Sequence, residues 1–289
     1  MEFIIIAYLA LSIRIFMLGA ERIFLKQLEE YDSLIISAFF FLAGSFFLLP
    51  IFVFISIEKS ISGLEDLIFA FISSIVYTFG FFAYVKALSE EDASLIAPLY
   101  NSSLLWLLLL GLIILGDDVG LFRILGGILM FIGVFFLYPG KIADKLQHMK
   151  SSKGSLLMLG GSFFFALGRT IDAYAIRTID SRIHAFLVLL SAGLIFLIIA
   201  TFTKRLNDGL LALKNKPQTL ILAGIANGWA YVMLLVAVST GLEITVAEPA
   251  SLLSVFVTAF LAKIILKEDI KERIPGMTLI VFGAILLFV

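Results

Sequence analysis

Apolar runs of helix length follow one another along the chain, separated by short polar joints such as Glu29-Glu30-Tyr31-Asp32, Glu58-Lys59-Ser60, Glu90-Glu91-Asp92, Gly116-Asp117-Asp118, Asp180-Ser181-Arg182 and Asn207-Asp208-Gly209. A bilayer core of ~30 Å asks for about 20 apolar residues per helix. The breaks in hydropathy predict ten such helices, at 3–20, 34–57, 67–88, 93–115, 119–138, 155–176, 183–203, 218–239, 244–266 and 274–289. The stretch 139–154 differs, because it opens on Pro139-Gly140 and carries Lys141, Lys145, Lys150 and Lys153. It reads as a linker. The predicted organisation is a first five-helix repeat over 1–140, a linker over 141–153 and a second five-helix repeat over 154–289.

The halves repeat at an offset of 151 residues: Ser94 answers Thr245, Ala97-Pro98 answers Glu248-Pro249, and Asp117-Asp118 answers Glu268-Asp269. Glu21 falls on Asp172 and Lys26 on Arg177, and after a one-residue slip Arg123, Gly126 and Gly133 fall on Arg273, Gly276 and Gly283. An odd number of helices per repeat turns the second copy upside down. The expected fold is therefore all-α and integral to the membrane, with ten transmembrane helices as two inverted five-helix repeats and a binding site near the midplane. The paired glycines lie seven residues apart on one helix face, where backbones can approach closely, either within the chain or at a dimer contact.

Composition agrees with this placement. With 61% hydrophobic residues, 15% charged and a mean hydropathy of +1.11, the chain has too little polar surface to cover a water-soluble domain. A formal net charge of −1 offers nucleic acid no basic patch. The absence of cysteine removes disulfides and thiol chemistry, and two histidines leave little to hold a metal, so no cofactor or metal is expected. The start, Met1-Glu2-Phe3-Ile4, lacks the basic region of a signal peptide, so the first apolar segment is expected to be retained as a span.

Charges inside the spans mark the candidate chemistry. A carboxylate in hydrocarbon costs roughly 2.5–3.5 kcal/mol on insertion scales, so an acid there is expected to face protein and to serve function. Glu248 is such an acid, and Pro249 after it frees a backbone carbonyl that only protein or trapped water can satisfy. Arg14 sits near the middle of the first span, with Glu21 two turns along the same face. In the sixth span Ser162, Phe165, Arg169 and Asp172 form one stripe, and Arg169 and Asp172 are close enough in register to pair. Such a pair either locks a helix or exchanges partners with an ionic substrate. Asn101, Asn227, Trp229 and Tyr231 can offer donors and acceptors, although intramembrane Asn also serves helix packing. Tyr77 and Tyr84 share a face of the third helix with Phe81 beside them, which suits packing as well as a substrate box. Glu248, Ser251, Ser254 and Thr258 line the ninth helix, Lys86 and Lys263 are placed to snorkel, and His184 at a helix start reads as interfacial.

Ten helices in two repeats, Pro98 and Pro249 early in each fourth helix, and the closing Leu115-Gly116-Asp117 and Leu266-Lys267-Glu268 resemble the drug/metabolite transporter superfamily, EamA type, over the whole chain. Glu248-Pro249 through Leu266-Lys267-Glu268 is similar to that family's E-P-V to L-G-E ninth helix, with Lys267 in place of the usual glycine and Ala97 where the first half could carry an acid. The resemblance implies a multi-pass protein of the cell membrane that moves small organic metabolites by alternating access without ATP, and no phosphate-binding loop is found. It also implies a cytoplasmic N-terminus. The basic loops 139–154 and 204–217 oppose this, since the positive-inside rule places them in the cytoplasm and both termini outside.

Three functions follow from these features. The first is a secondary transporter, an exporter or exchanger of small polar metabolites, with substrate binding by Arg14, Arg169, Asp172, Tyr77, Tyr84, Asn101, Asn227, Trp229 and Ser251 and coupling through Glu248 or Glu21. Amino-acid-like molecules fit best, their carboxylate meeting an arginine and their amine an acid. The second is a flippase of a lipid-linked substrate, and the third a membrane-embedded enzyme, for which no nucleophile, base or metal set is present. The expected partners are a small-molecule substrate, protons and membrane lipid, with the chain acting as a monomer or homodimer.

Overall fold

The computed structural model describes residues 2–28, 30–58, 64–90, 99–137, 152–267 and 271–288. Its helices are α1 (Glu2–Lys26), α2 (Ser33–Glu58), α3 (Leu64–Glu90), α4 (Ser103–Leu110), α5 (Leu121–Phe136), α6 (Lys153–Ala175), α7 (Ser181–Phe202), α8 (Leu206–Asn215), α9 (Pro217–Ser239), α10 (Ile244–Ala250), α11 (Ser254–Leu261) and α12 (Ile274–Leu286). No strand occurs among the described residues. Seven stretches are long and apolar enough to cross a membrane: Phe3–Lys26, Ser33–Ile55, Leu67–Tyr84, Lys153–Ala175, Ser181–Phe202, Pro217–Ser239 and Ile244–Ile265. Ser103–Leu115, Leu121–Phe136 and Ile274–Leu286 are shorter apolar helices. Pro98, Ser94, Glu268, Asp269 and most of the linker lie outside the described residues.

Packing divides the chain into two compact units that cut across the sequence halves. Unit 1 is Met1–Thr78 with Ile171–Leu242, and unit 2 is Phe79–Thr170 with Glu243–Val289. In unit 1, α2 packs on α7 and α9, and α1 on α9. Glycine makes the α2–α9 approach possible, because a Cβ at Gly44 would sit 3.0 Å from the Gly224 carbonyl oxygen and one at Gly228 would sit 2.9 Å from that of Gly44.

Helix α8 departs from expectation, since the sequence around Asn207-Asp208-Gly209 reads as a joint. Its helix is amphipathic and only 10 residues long, too short for a span. Gly209 lies against Ile35 and Phe39 of α2 and Ala212 is buried in a cluster with Ile36 of α2, while Leu210, Leu211 and Leu213 stay exposed.

In unit 2, α5 and α12 run antiparallel with their glycines in register. A Cβ at Gly126 would meet the Gly283 carbonyl oxygen at 2.6 Å, and one at Gly133 would meet that of Gly276 at 2.9 Å. The glycine pairs thus serve packing within the chain. A Cβ at Gly283 would lie 2.4 Å from the Met130 Cγ and 2.6 Å from the Gly126 carbonyl, and backbone cannot step aside as a side chain can. Gly283→Ala is therefore expected to cost about 1–3 kcal/mol of stability, seen as a lower unfolding midpoint in detergent.

The repeat also appears in a local irregularity. A π turn, Gly111–Leu115, ends the segment begun by α4, and another, Ala262–Leu266, ends the segment begun by α10. Each is closed by a left-handed residue, Gly116 at φ 73° and Lys267 at φ 58°. Both pairs are 151 residues apart, the offset of the sequence repeat. A left-handed backbone costs an L-residue with a Cβ roughly 1–2 kcal/mol relative to glycine. Lys267→Gly is accordingly expected to raise stability by about 1 kcal/mol, as a higher unfolding midpoint; a lower midpoint contradicts the strain.

Candidate functional site

Each unit holds its own cluster of buried polar groups. In unit 1 the centre is Asp172, which is 0% exposed on α6. Its Oδ1 accepts from Ser73 Oγ at 2.5 Å and faces His184 Nε2 at 3.0 Å, while Oδ2 accepts from Tyr77 OH at 2.5 Å and Tyr231 OH at 2.7 Å. A carboxylate offers about four acceptor positions, and four protein donors fill them. Helices α3, α6, α7 and α9 are tied together at this one side chain. The other ring nitrogen of His184, Nδ1, has no hydrogen-bond partner.

His184 corrects the sequence reading. It lies in the first turn of α7, where Asp180 accepts from the Arg182 backbone as the cap, but its ring turns inward and is fully buried rather than interfacial. Arg14 is 2% exposed and its Nη1 donates to the Ala230 carbonyl at 2.9 Å, the residue beside Tyr231. That carbonyl and its neighbour bring α9 against both buried charges. Asn227, one turn before Tyr231 on α9, is half-buried and its Nδ2 lacks a partner. Trp229 on α9 and Glu21 on α1 are also half-buried.

In unit 2 the central contact joins Arg169 Nε of α6 to Glu248 Oε1 of α10 at 3.3 Å, with each side chain 19% exposed. Sequence spacing placed Asp172 within reach of Arg169; the ion pair seen here joins Arg169 to Glu248, a carboxylate far along the chain. Of the two arginines proposed for the site, Arg14 is buried and Arg169 is mostly buried. Pairing offsets the cost of holding each charge away from water, and partial exposure leaves both heads approachable. Pro249 follows Glu248 directly, and α10 gives way after it to a 3-10 turn, Ser251–Leu253, before α11 resumes. This break holds Ser251, whose hydroxyl donates to the Ala247 carbonyl at 2.8 Å, and leads to Ser254, fully buried with no partner for its Oγ.

The rest of unit 2 supplies walls. Ser102 Oγ donates to Ser162 Oγ at 2.7 Å, next to the half-buried Asn101. Tyr84 packs edge-on against Tyr100 with centroids 5.8 Å apart, and Tyr100 and Phe81 pack on Phe165 at 4.8 and 5.0 Å. At the start of α10, Thr245 Oγ1 donates to Asp117 Oδ2 at 2.8 Å, and Arg123 pairs with Glu243. Sequence reasoning missed Ser73, Ser102 and the inward turn of His184. The available signal was Ser73 lying four residues before Tyr77 on one face of an otherwise apolar helix. Among the described residues no group of three or more His, Asp or Glu could hold a metal ion.

Comparison with known proteins covers the same chain. The model of the EamA-like transporter family matches it twice, over residues 5–138 and 152–289. No curated protein matches. A protein described only as having a crystal structure is similar at 14% identity with a TM-score of 0.67, over 97% of this chain and 95% of its own, a likeness of fold alone.

Proposed function

The chain belongs to the EamA-like transporter family, and from that membership we propose that it is a secondary transporter of small polar metabolites, with amino-acid-like substrates preferred. Members of the family are membrane transporters, and this chain is a multi-pass membrane protein. The observation that carries the finer reading is the Arg169–Glu248 pair, held within apolar helices yet 19% exposed at both side chains. A zwitterion brings both replacements this pair needs, a carboxylate for the guanidinium and an ammonium for the acid. Exchange of partners then leaves no charge alone in a low-dielectric site.

Glu248 serves as the coupling group in this reading, with Glu21 the alternate. A proton and a substrate amine compete for the same carboxylate, and competition for one site is what antiport requires. Tyr84, Asn101 and Ser251 complete the unit 2 site, while Arg14, Tyr77, Asn227, Trp229 and the Asp172 cluster belong to unit 1. The apolar segments are read as ten spans in two inverted halves, 1–140 and 154–289, joined by 141–153. The antiparallel register of Gly126 with Gly283 and Gly133 with Gly276, and the matched π turns, support that reading. Export or exchange is the direction proposed.

Glu248→Gln removes the titrating group while keeping its shape. In proteoliposomes it is expected to abolish uptake driven by a proton gradient and to preserve substrate exchange at saturating concentration. An unchanged response to the gradient sinks the coupling role.

A further inference from the structure

We propose that unit 1 carries a binding site for one anionic phospholipid, in a groove between α2, α7, α8 and α9. The groove encloses about 620 Å³ and is lined by residues that include Phe39, Leu42, Phe46, Phe186, Leu213 and Leu220. Its one hydroxyl, Ser45, is spent on the Leu42 carbonyl at 2.8 Å, so the lining offers nothing to a polar ligand. Several lining residues, Phe46 and Leu213 among them, remain exposed, which opens the groove to the surroundings of the helices.

Length identifies the occupant. Along α2 the lining runs from Phe39 to Leu49, ten residues or ~15 Å of helix at 1.5 Å each, half of a ~30 Å hydrocarbon core. One leaflet-deep acyl chain fits that reach. At one end the wall is Leu213 of α8, the short amphipathic helix whose exposed leucines suit the boundary between headgroups and acyl chains.

Charge at that end selects the headgroup. Arg205 pairs with Asp32, and Lys216 Nζ lies 2.6 Å from Glu30 Oε1, a hydrogen bond that holds the Glu30 carboxyl below the ordinary glutamate range. Lys204, just before α8, and Lys214, in its last turn, are exposed and have no ion pair among the described residues, against one unpaired acid, Asp208. The surplus is cationic, at the depth where a phosphate sits. The same basic loop favours the cytoplasmic leaflet, where anionic lipid collects.

The test is native mass spectrometry of the purified full chain, equilibrated in detergent with equal phosphatidylglycerol and phosphatidylcholine. The wild type is expected to retain phosphatidylglycerol preferentially. Lys204→Gln and Lys214→Gln are each expected to lower that retention roughly fivefold, and Leu213→Trp, at an exposed position of the wall, to lower retention of both lipids. Equal retention of the two lipids by the wild type, or an unchanged preference in the double lysine variant, overturns the site. So does a dimer that Leu213→Trp dissolves, because a second copy would then fill the groove. The readout involves no transport, so its failure leaves the transport reading standing.

Discussion

Asp172→Ala is expected to destabilise the protein by about 3–5 kcal/mol, the range for breaking a buried charge network by removing one member. The magnitude follows from geometry. Ser73, Tyr77, Tyr231 and His184 all aim at this carboxylate from α3, α9 and α7. Its loss strands four buried donors, each costing about 1–3 kcal/mol if nothing replaces the acceptor. Hydroxyls can rotate toward backbone carbonyls and recover part of this, which keeps the total below the simple sum. Tyr77→Phe or Tyr231→Phe removes one donor and leaves the carboxylate three, so each is expected to cost only about 1 kcal/mol. Unfolding midpoints in detergent rank these variants. An Asp172→Ala protein as stable as Tyr77→Phe contradicts the role of the carboxylate as the tie between four helices.

Arg169→Gln is expected to lower transport roughly 30- to 150-fold, the equivalent of about 2–3 kcal/mol. Truncating one partner of a buried charge pair costs about 2–5 kcal/mol, and the low end applies because both side chains are only partly buried. Arg169→Lys is expected to retain part of the activity, since it keeps the charge and loses the planar donors. The double variant Arg169→Gln with Glu248→Gln is expected to be less impaired than the two single losses multiplied together, the mark of residues acting on each other. Initial rates in proteoliposomes measure the wild type and the four variants. Independent, multiplicative losses would mean that the pair holds the helix and does not handle substrate.

The two constellations differ in how much of them the sequence could announce. Apolar length and short polar joints placed the long helices closely, with α7 expected at 183–203 and found at Ser181–Phe202, because crossing hydrocarbon constrains length more than tertiary packing does. Glycines spaced seven apart marked a close-packing face on α5 and on α12, and only the fold sets those two faces against each other. Helix α8 was hidden: its polar start reads as a turn, and what makes it a helix is the fit of Gly209 and Ala212 onto α2. Partners across space were hidden as well. Register on one helix could place Arg169 near Asp172, but only folding brings Glu248 to Arg169, or His184 and Tyr231 to Asp172. The left-handed backbone at Lys267 was marked in sequence by its place opposite Gly116.

The central claim is that this protein moves a small zwitterion across the membrane through the Arg169–Glu248 pair. Counterflow in proteoliposomes tests it most directly: vesicles are loaded with unlabelled amino acids, and entry of a labelled amino acid is followed in the wild type and in Arg169→Gln. The account predicts transient accumulation of label by the wild type and its collapse in the variant. Transport of a fluorescent lipid reporter between leaflets with no movement of amino acids, or equal counterflow in the two proteins, would contradict it.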